Sequence, residues 1–371
     1  MTILFVYPYN KRTIPIDIPL FKLKERGHRL FLLTFSKKGQ LHYLYEQNGV
    51  KTYSITTNLP FPLKQFYLTY NLVKFCRKNQ IDTIHSHLQE ANLVASFSSP
   101  FLESRVNLFR HHCKFHFLVK HSPLEPSLKE VIADKVINAL AKRIIVPSEG
   151  VKNAMTSYEK VDPKKISIIP YMYDFDSMRN IDLNEANKIR NCISARMVVI
   201  MIARHTPFKR HIEGLKPIVK LINEGLDLKV IIMDEGPETN QIQKFLSDNK
   251  TDQERFIFTG FTSLIYEYIA ASDALIHPSI TEASNSVVKE CGLFEKSVLV
   301  CDKVGDFNDY IKHNYSGFLL EADKFADQAY TVIKQLYENP NLRITIGKRL
   351  KSSVKNRFKV KDEKVDLYES L

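Results

Sequence analysis

The chain has 371 residues, too many for one ordinary domain, and its 44% hydrophobic and 25% charged residues are typical of a folded globular protein. It has no apolar run near the roughly 18 residues that span a bilayer, no signal-peptide pattern and no C-x-x-C pair among its five cysteines, so we expect a cytoplasmic protein with reduced thiols. The net charge of +12 lies in residues 1–180, which carry 26 Lys and Arg against 14 Asp and Glu, whereas the remainder carries 27 of each; the first half should therefore attract a polyanion.

The first half alternates short β-rich runs with helical stretches. Helices are predicted for Ile16–Gly27, Pro62–Lys78 and Leu128–Lys142, and Gly27 suits a left-handed helix C-cap. The strand candidates share a content of β-branched and large apolar residues: Ile3–Tyr7, Leu30–Thr34, Thr52–Ile55, Thr83–His85, Val106–Phe109, Ile144–Pro147 and Ile166–Pro170. This alternation predicts a parallel α/β sheet.

A polar stretch at Tyr171–Asn191 interrupts the pattern, which then restarts with a predicted helix at His211–Glu224. The strand candidates of the second half are Met197–Ala203, Leu228–Met233, Phe256–Thr259, Ala274–His277, Ser297–Val300 and Gly317–Leu319. Two successive α/β units predict two Rossmann-like, doubly wound domains that face each other across a cleft. Neither G-x-G-x-x-G nor a P-loop occurs, which argues against dehydrogenases and P-loop enzymes.

Two cations follow the first strand of the second half. Arg204 leaves the tip of this strand, and Lys209 stands at the start of the next helix. In open α/β sheets, ligands bind beyond the carboxyl ends of the strands. A guanidinium fork and an ammonium group there are suited to a diphosphate, although basic loop residues are commonly just solvated.

Two carboxylates, Glu282 and Glu290, follow the strand Ala274–His277. Asn285 or Ser286 is expected to be the N-cap of a helix, whose free N–H groups suit a phosphate. Glu290 lies about one turn inside and leans toward the N-terminus, where it could accept hydrogen bonds from ribose hydroxyls. Taken alone, Glu290 beside Lys289 also fits an ordinary surface pair.

These motifs resemble, in their order along the chain, the retaining GT-B glycosyltransferases of family 4 (glycosyl transferases group 1). The resemblance rests on two spaced pairs of residues. The first is Arg-x4-Lys (Arg204 and Lys209) after a strand, and the second is Glu-x7-Glu (Glu282 and Glu290) after the sequence His-Pro-Ser. Weaker likenesses cover nearly the whole chain in the family's order: KERGHRLFLLT, IDTIHSH, IIVPSEGVKNAM, IIPYMYDFDSM, VIIMDEGPE, FTGFT and YSGFLLE.

The resemblance implies an acceptor-binding domain (1–175), a nucleotide-sugar-binding domain (176–345) and a C-terminal helix (346–371) that returns to the first domain. It implies sugar transfer from a UDP- or GDP-linked donor to a glycan or lipid-linked acceptor, with retention of anomeric configuration and without a metal or other cofactor. We expect this transfer to serve cell-surface polysaccharide synthesis.

The resemblance also assigns roles to the residues of the second half. By position, Arg204 and Lys209 neutralise the diphosphate. Glu290 holds the ribose, and Glu282 contacts the transferred sugar. The donor-binding set is completed by three residues at the start of the predicted helix: Asn285, Ser286 and Val287.

Three segments depart from the family pattern. Segment 8–13 contains no glycine where the family usually has a glycine-rich loop, so a basic loop there could bind an anionic acceptor or mark an altered site. Residues 282–285 read Glu-Ala-Ser-Asn in place of E-G-F-G, and residues 305–309 read Gly-Asp-Phe-Asn-Asp in place of G-G-x-P-E. These departures leave the identity of the donor sugar open.

Two adjacent histidines, His111 and His112, follow the strand Val106–Phe109, where the family carries a histidine near the reacting sugar. The sequence does not decide between them. A zinc site that includes Cys113 and His116 is disfavoured by the adjacent spacing, so no metal is expected.

Three further hypotheses follow from the charge and the resemblance. A GT-B nucleotide-sugar epimerase would isomerise a free UDP-sugar without an acceptor. A non-enzymatic polyanion-binding protein would use the basic half, although the chain lacks a defensible nucleic-acid-binding motif and no nucleic-acid partner is expected. Peripheral contact with anionic lipid at the inner face of the plasma membrane would use Phe115–Leu140, which also fits an ordinary loop and amphipathic helix.

Overall fold

The computed structural model of the chain describes residues 1–11, 14–111, 128–175, 181–249 and 251–371. These residues form two compact units. One unit contains the described residues up to Asp174 together with Lys359–Leu371, and the other contains the described residues of Phe175–Phe358.

The first unit is built on a seven-stranded sheet in which every neighbouring pair is parallel. Its strands are β1 (Thr2–Tyr7), β2 (Arg29–Thr34), β3 (Lys51–Ser54), β4 (Thr83–His87), β5 (Arg105–Phe109), β6 (Arg143–Val146) and β7 (Ile166–Ile168). Their order is β3-β2-β1-β4-β5-β6-β7, so the chain reverses direction across the sheet between β1 and β4. The strands predicted in the first half are thereby confirmed.

Helices connect the strands of the first unit: α1 (Ile14–Glu25), α2 (Gln40–Gln47), α3 (Leu63–Asn79), α4 (Gln89–Ser98), α5 (Leu128–Leu140) and α6 (Glu149–Ser157). Apolar residues from both faces of the central strand β1 are buried, as expected for a sheet covered by helices on both sides. Gly27 follows α1 with a φ of +85°, the left-handed conformation predicted for it.

The second unit repeats this arrangement with a six-stranded parallel sheet in the order β10-β9-β8-β11-β12-β13. Its strands are β8 (Met197–Ile202), β9 (Leu228–Met233), β10 (Phe256–Gly260), β11 (Ala274–His277), β12 (Ser297–Cys301) and β13 (Phe318–Leu320). Its helices are α7 (Leu183–Ile193), α8 (His211–Asn223), α9 (Thr239–Asp248), α10 (Ile265–Ala271), α11 (Ser286–Leu293), α12 (Phe307–Tyr310), α13 (Phe325–Glu338) and α14 (Pro340–Phe358). The reversal lies between β8 and β11, which is where a ligand crevice forms in such sheets.

The chain leaves the second unit after Phe358, so the boundary predicted at 345/346 falls inside α14. This helix stays with the second unit because Leu350 and Val354 are buried, and because Gly347 packs directly against the backbone of Glu295. A Cβ at Gly347 would lie only 1.8 Å from the Glu295 carbonyl oxygen.

The final helix, α15 (Asp362–Ser370), packs against α1 in the first unit. Its residues Val365 and Tyr368 are buried in the core cluster that also contains residues of β1 and α1. Arg26 donates hydrogen bonds to the carboxylates of Asp366 (2.6 Å) and Glu369 (2.9 Å), which flank this contact. The first unit therefore includes a segment that is distant in sequence from the rest of it.

Candidate functional site

The loop that follows β8 carries Arg204 on its surface. In the described part of the chain the guanidinium of Arg204 forms neither a hydrogen bond nor an ion pair, whereas the next residue, His205, is buried. His205 Nδ1 lies 2.8 Å from Thr239 Oγ1, and Gly236 packs so closely on His205 that a Cβ would lie 2.4 Å from its carbonyl oxygen. The backbone beneath Arg204 is thus held firmly while its cation faces solvent.

Lys209 ends a single 3-10 turn, Pro207–Lys209, that follows Arg204. Its Nζ forms an ion pair with Glu282 Oε1. The backbone N–H of Ile280 also donates to the Phe208 carbonyl oxygen at 3.1 Å, so two contacts join this turn to the loop after β11. The two predicted cations therefore differ: Arg204 is exposed and has no partner among the described residues, whereas Lys209 is paired with a predicted site carboxylate.

Glu282 is held from two sides. Besides Lys209, His277 at the end of β11 places its Nε2 2.6 Å from Glu282 Oε1. Burial would raise the pKa of Glu282, but the hydrogen bonds and charges of His277 and Lys209 outweigh it and hold this pKa well below its usual range. Both contacts use Oε1, so among the described residues Oε2 has no partner and stays available to a ligand hydroxyl.

The N-terminus of α11 is capped by Asn285, whose Oδ1 accepts a hydrogen bond from the Val288 N–H at 2.9 Å. This confirms Asn285 as the N-cap, one of the two residues predicted. The N–H groups of Ser286 and Val287 belong to the first turn, where a helix supplies no acceptor, and they carry the positive end of its dipole. This end of α11 can therefore receive an anion.

Glu290 lies in the second turn of α11 and is buried with 8% of its surface exposed. Its side chain makes no hydrogen bond or ion pair within the described residues. Burial raises the pKa of Glu290 to about 7, and the charge of Lys289 opposes this only in part. A buried carboxylate without a protein partner is costly, and hydroxyl donors from a ligand would satisfy it.

Lys289 is also buried, in a polar cluster on the other side of α11. Its Nζ lies 2.8 Å from Asp306 Oδ2 and donates to Ser284 Oγ at 3.0 Å, while Ser284 Oγ donates to Asp306 Oδ2 at 2.6 Å. Gly305 permits the loop after β12 to approach the loop after β11 closely, since a Cβ at Gly305 would lie 2.9 Å from Glu282 Cβ. Ser284 and Asp306, one departing residue from each of two family motifs, are thus joined with Lys289 in one hydrogen-bonded cluster.

The hypothesis that Glu290 and Lys289 form an ordinary surface pair is wrong, because both side chains are buried. Lys289 contacts Asp306, whereas Glu290 has no partner among the described residues. His277 and the ion pair between Lys289 and Asp306 were not predicted from the sequence. His277 could have been found, since it ends a strand at the edge where ligands bind. The ion pair between Lys289 and Asp306 could not be predicted from the sequence, because their separation along the chain follows no helix or strand periodicity.

His111 in the first unit follows β5 and is held at both ring nitrogens. Its Nε2 lies 3.1 Å from Nδ1 of His87, and its Nδ1 contacts the hydroxyl of Tyr171. Beside it, Arg110 is buried with ion pairs to Asp134 and Glu159. His112 lies outside the described residues, as do Cys113 and His116 of the disfavoured zinc reading and most of the predicted docking segment Phe115–Leu140.

Both histidines of β4 are buried. Burial lowers the pKa of His85 to about 3 and that of His87 well below its usual value, so both rings are neutral. Phe5 and Phe109 pack against these rings, which makes them part of the aromatic core behind His111.

The loop after β1 reaches the N-terminus of α2. The Leu41 N–H donates to Asn10 Oδ1 at 3.2 Å, and Asn10 belongs to segment 8–13, which contains no glycine. Within the ranges that the structure describes, no group of three or more His, Cys, Asp or Glu could hold a metal ion. No helix in those ranges is both long and apolar enough to cross a bilayer.

Two family models match the chain. Residues 21–177 match the family described as Glycosyltransferase Family 4, and residues 185–353 match Glycosyl transferases group 1. Together the two matches span most of the chain.

Among solved structures, Anabaena Alr3699/HepE in complex with UDP superimposes with a TM-score of 0.81 at 20% identity, covering 100% of this chain and 99% of that one. The same protein in complex with UDP-glucose gives a TM-score of 0.80 with full coverage of both chains. A glycosyltransferase from Rickettsia africae gives a TM-score of 0.80 at 18% identity, covering 100% and 97%.

The curated relatives are distant. An uncharacterized glycosyltransferase of Methanocaldococcus jannaschii is 24% identical over 63% of this chain, and the match spans only 59% of that relative. An Escherichia coli enzyme named UDP-Gal:alpha-D-GlcNAc-diphosphoundecaprenol alpha-1,3-galactosyltransferase is 22% identical over 82% of this chain and 80% of its own length.

Proposed function

The chain belongs to the family 4 glycosyltransferases of GT-B fold, and from that premise we propose that it transfers a sugar from a UDP- or GDP-linked donor to a glycan or lipid-linked acceptor with retention of anomeric configuration. The observation that carries this proposal is the buried carboxylate of Glu290, which has no partner among the described residues and lies on the helix whose first N–H groups have no acceptor within the helix. The transfer serves cell-surface polysaccharide synthesis at the inner face of the plasma membrane.

The donor diphosphate is stabilised by positive charge from the protein and needs no metal or other cofactor. Arg204 supplies an exposed guanidinium, and the N–H groups of Ser286 and Val287 supply the helix terminus. Lys209 adds an ammonium group that Glu282 holds in place. Such preorganised donors stabilise the charge that develops on the leaving group as the glycosidic bond to the phosphate breaks.

The two carboxylates have different tasks because their surroundings differ. Glu290 accepts hydrogen bonds from the ribose hydroxyls, which stabilises its ionised form. Glu282 is kept ionised by His277 and Lys209, and its Oε2 accepts a hydroxyl of the transferred sugar. Asn285 fixes the start of α11 and so aligns both carboxylates with the phosphates.

The acceptor is supported by charge and by similarity. The excess positive charge of residues 1–180 favours a phosphorylated acceptor. The Escherichia coli relative is named for an acceptor that carries a diphosphoundecaprenol group, which makes a lipid diphosphate the first acceptor to test.

Isothermal titration calorimetry with UDP, GDP and UDP-glucose, each with EDTA present, tests the donor site. We expect one nucleotide class to bind in EDTA and to lose affinity in Glu290→Ala. No binding of any nucleotide would refute the proposal. Isomerisation of UDP-glucose without an acceptor would instead identify an epimerase, and the proton NMR spectrum of the product reports whether the anomeric configuration is retained.

The two histidine candidates can be separated by substitution. Because both ring nitrogens of His111 contact His87 and Tyr171, we expect His111→Ala to lower the melting temperature. We assign the role near the reacting sugar to His112, so His112→Ala should lower kcat at unchanged melting temperature. The opposite pattern would return that role to His111.

A further inference from the structure

Exposed apolar side chains occur on α3, just before it at Phe61, and at Phe101 after α4. Phe61, Leu63, Phe66, Tyr70 and Phe101, here called the aromatic face, are each between 55% and 69% exposed. Single exposed apolar residues are normal on protein surfaces, but a continuous patch of large aromatic side chains marks an interaction site.

Helical periodicity explains why these residues face solvent. The side of α3 that packs on the sheet is formed by Leu68, Leu72 and Cys76, which are completely or almost completely buried. Leu63, Phe66 and Tyr70 recur at intervals of three and four residues on another stripe of the same helix. The helix therefore has one apolar stripe for the core and a second that the described residues of this unit leave exposed.

The second stripe borders a groove of about 510 Å³. Phe66, Tyr70 and Val73 line it from the helix, and Phe101 lines it from the segment that follows α4. The Nη2 of Arg77 donates to the Phe101 carbonyl oxygen at 3.0 Å, which holds Phe101 beside the helix.

Basic residues continue the aromatic face toward the C-terminal end of α3. The helix carries Lys64, Lys74, Arg77 and Lys78 and contains no Asp or Glu. Lys64 pairs with Glu90, whereas within the described residues no carboxylate forms an ion pair with the other three. The face thus combines apolar rings with three cations that form no ion pair with a described carboxylate.

We propose that the aromatic face of α3 docks on an anionic lipid bilayer. Aromatic side chains are favoured at the level of the lipid headgroups, and each Lys or Arg near an anionic surface adds attraction. A second copy of the chain fits less well, because a two-fold interface would bring the unneutralised cations of both copies together.

The N-terminal end of α3 lies at the edge of the sheet where ligands are expected to bind. The helix follows β3 and precedes β4, so it begins at the carboxyl edge of the parallel sheet, where α/β folds bind ligands. The aromatic face extends from that edge, at Leu63, toward the opposite edge, where Phe101 precedes β5. The inference does not depend on the proposed transfer reaction, since vesicle binding is measured without donor or acceptor.

Co-sedimentation of the full chain with vesicles of phosphatidylcholine, with and without phosphatidylglycerol, tests the proposal. We expect binding only to the anionic vesicles. The double variant Phe66→Ser/Tyr70→Ser should weaken it about tenfold or more, because two exposed rings leave the interface. The matched control is Phe261→Ser, which removes a ring that is 90% exposed in the second unit and should bind like the wild type.

A second pair of variants separates the docking surface from the net charge. Lys74→Gln/Lys78→Gln should weaken vesicle binding about tenfold or more. Lys142→Gln/Lys164→Gln removes the same charge from exposed positions elsewhere in the unit and should have little effect. The proposal would be overturned if the two lysine double variants lost vesicle binding equally, or if the wild type did not bind anionic vesicles. A dimer in solution that the Phe66→Ser/Tyr70→Ser variant dissociates would also overturn it. Unchanged nucleotide binding in these variants shows that the donor site is intact.

Discussion

Replacing Glu290 by Gln should change both the pH dependence of donor binding and the stability of the unliganded protein. Burial raises the pKa of Glu290 to about 7, from an ordinary value of 4.5. Lys289, on the same helix, lowers this pKa in part, and Tyr266 and Cys291 also interact electrostatically with Glu290. The proposed ribose hydroxyls need the ionised carboxylate as their acceptor.

The expected magnitude follows from this pKa. With a pKa of about 7, roughly a tenth of Glu290 is ionised at pH 6 and roughly nine tenths at pH 8, so donor affinity should rise about tenfold over that range. Folded Glu290 binds its proton more tightly than the unfolded chain does. Its contribution therefore lowers the free energy of unfolding as pH rises from 4.5 through 7, by about 3 kcal/mol in total.

Calorimetry with UDP-glucose between pH 6 and pH 8 measures the first effect, because this ligand has no phosphate group that titrates in that range. Glu290→Gln should bind more weakly than the wild type at pH 8, and its affinity should be nearly independent of pH. Urea unfolding measures the second effect: Glu290→Gln should exceed the wild type in stability at pH 8 and match it at pH 5.

An identical pH dependence of donor affinity in the wild type and Glu290→Gln would refute the assignment, since another group would then be titrating. Wild-type affinity that falls as pH rises would refute it as well. If the affinity behaved as expected but the stability difference at pH 8 were absent, the carboxylate would be less desolvated than the structure shows.

Three other substitutions test separate parts of the structure. Arg204→Ala should lower kcat/KM by about 10²-fold or more at an unchanged melting temperature, because this exposed guanidinium stabilises only the ligand; near-wild-type turnover would remove it from the mechanism. Lys289→Met should cost about 3–5 kcal/mol in urea unfolding by leaving Asp306 buried without its cation, and adding Asp306→Asn should recover part of the loss; additive losses would contradict a coupled pair. Tyr368→Ala should cost about 3–5 kcal/mol in thermal unfolding because it empties a core position, and a cost below 1 kcal/mol would show that α15 docks only loosely.

The fold was largely predictable because its signals are local. Runs such as Met197–Ala203 are fully apolar, and only a strand buried on both faces accommodates them in an alternating α/β pattern. The boundaries between units were harder to predict than the strands. The boundary predicted at 345/346 is wrong because Gly347 and Leu350 pack on the second unit, and contacts between residues distant in sequence leave no periodic pattern.

The candidate site was predictable where one short segment carries the chemistry. The interval from Glu282 to Glu290 includes the N-cap and both carboxylates, so helix geometry alone relates them. The cluster of Ser284, Lys289 and Asp306 was not predictable, because Asp306 comes from a different loop. Ser284 and Asp306 stand in two separate motifs of the sequence, and only the folded chain shows that their side chains are hydrogen-bonded to each other.

The packing of α15 on α1 has a consequence for how the protein is made. The ribosome releases β1 to β7 well before it synthesises Val365 and Tyr368, which belong to the same core cluster. At a synthesis rate of about 5–20 residues per second, the nascent first unit waits on the order of ten seconds or more with that core incomplete. Throughout this interval the core of the first unit lacks the two side chains that α15 contributes to it.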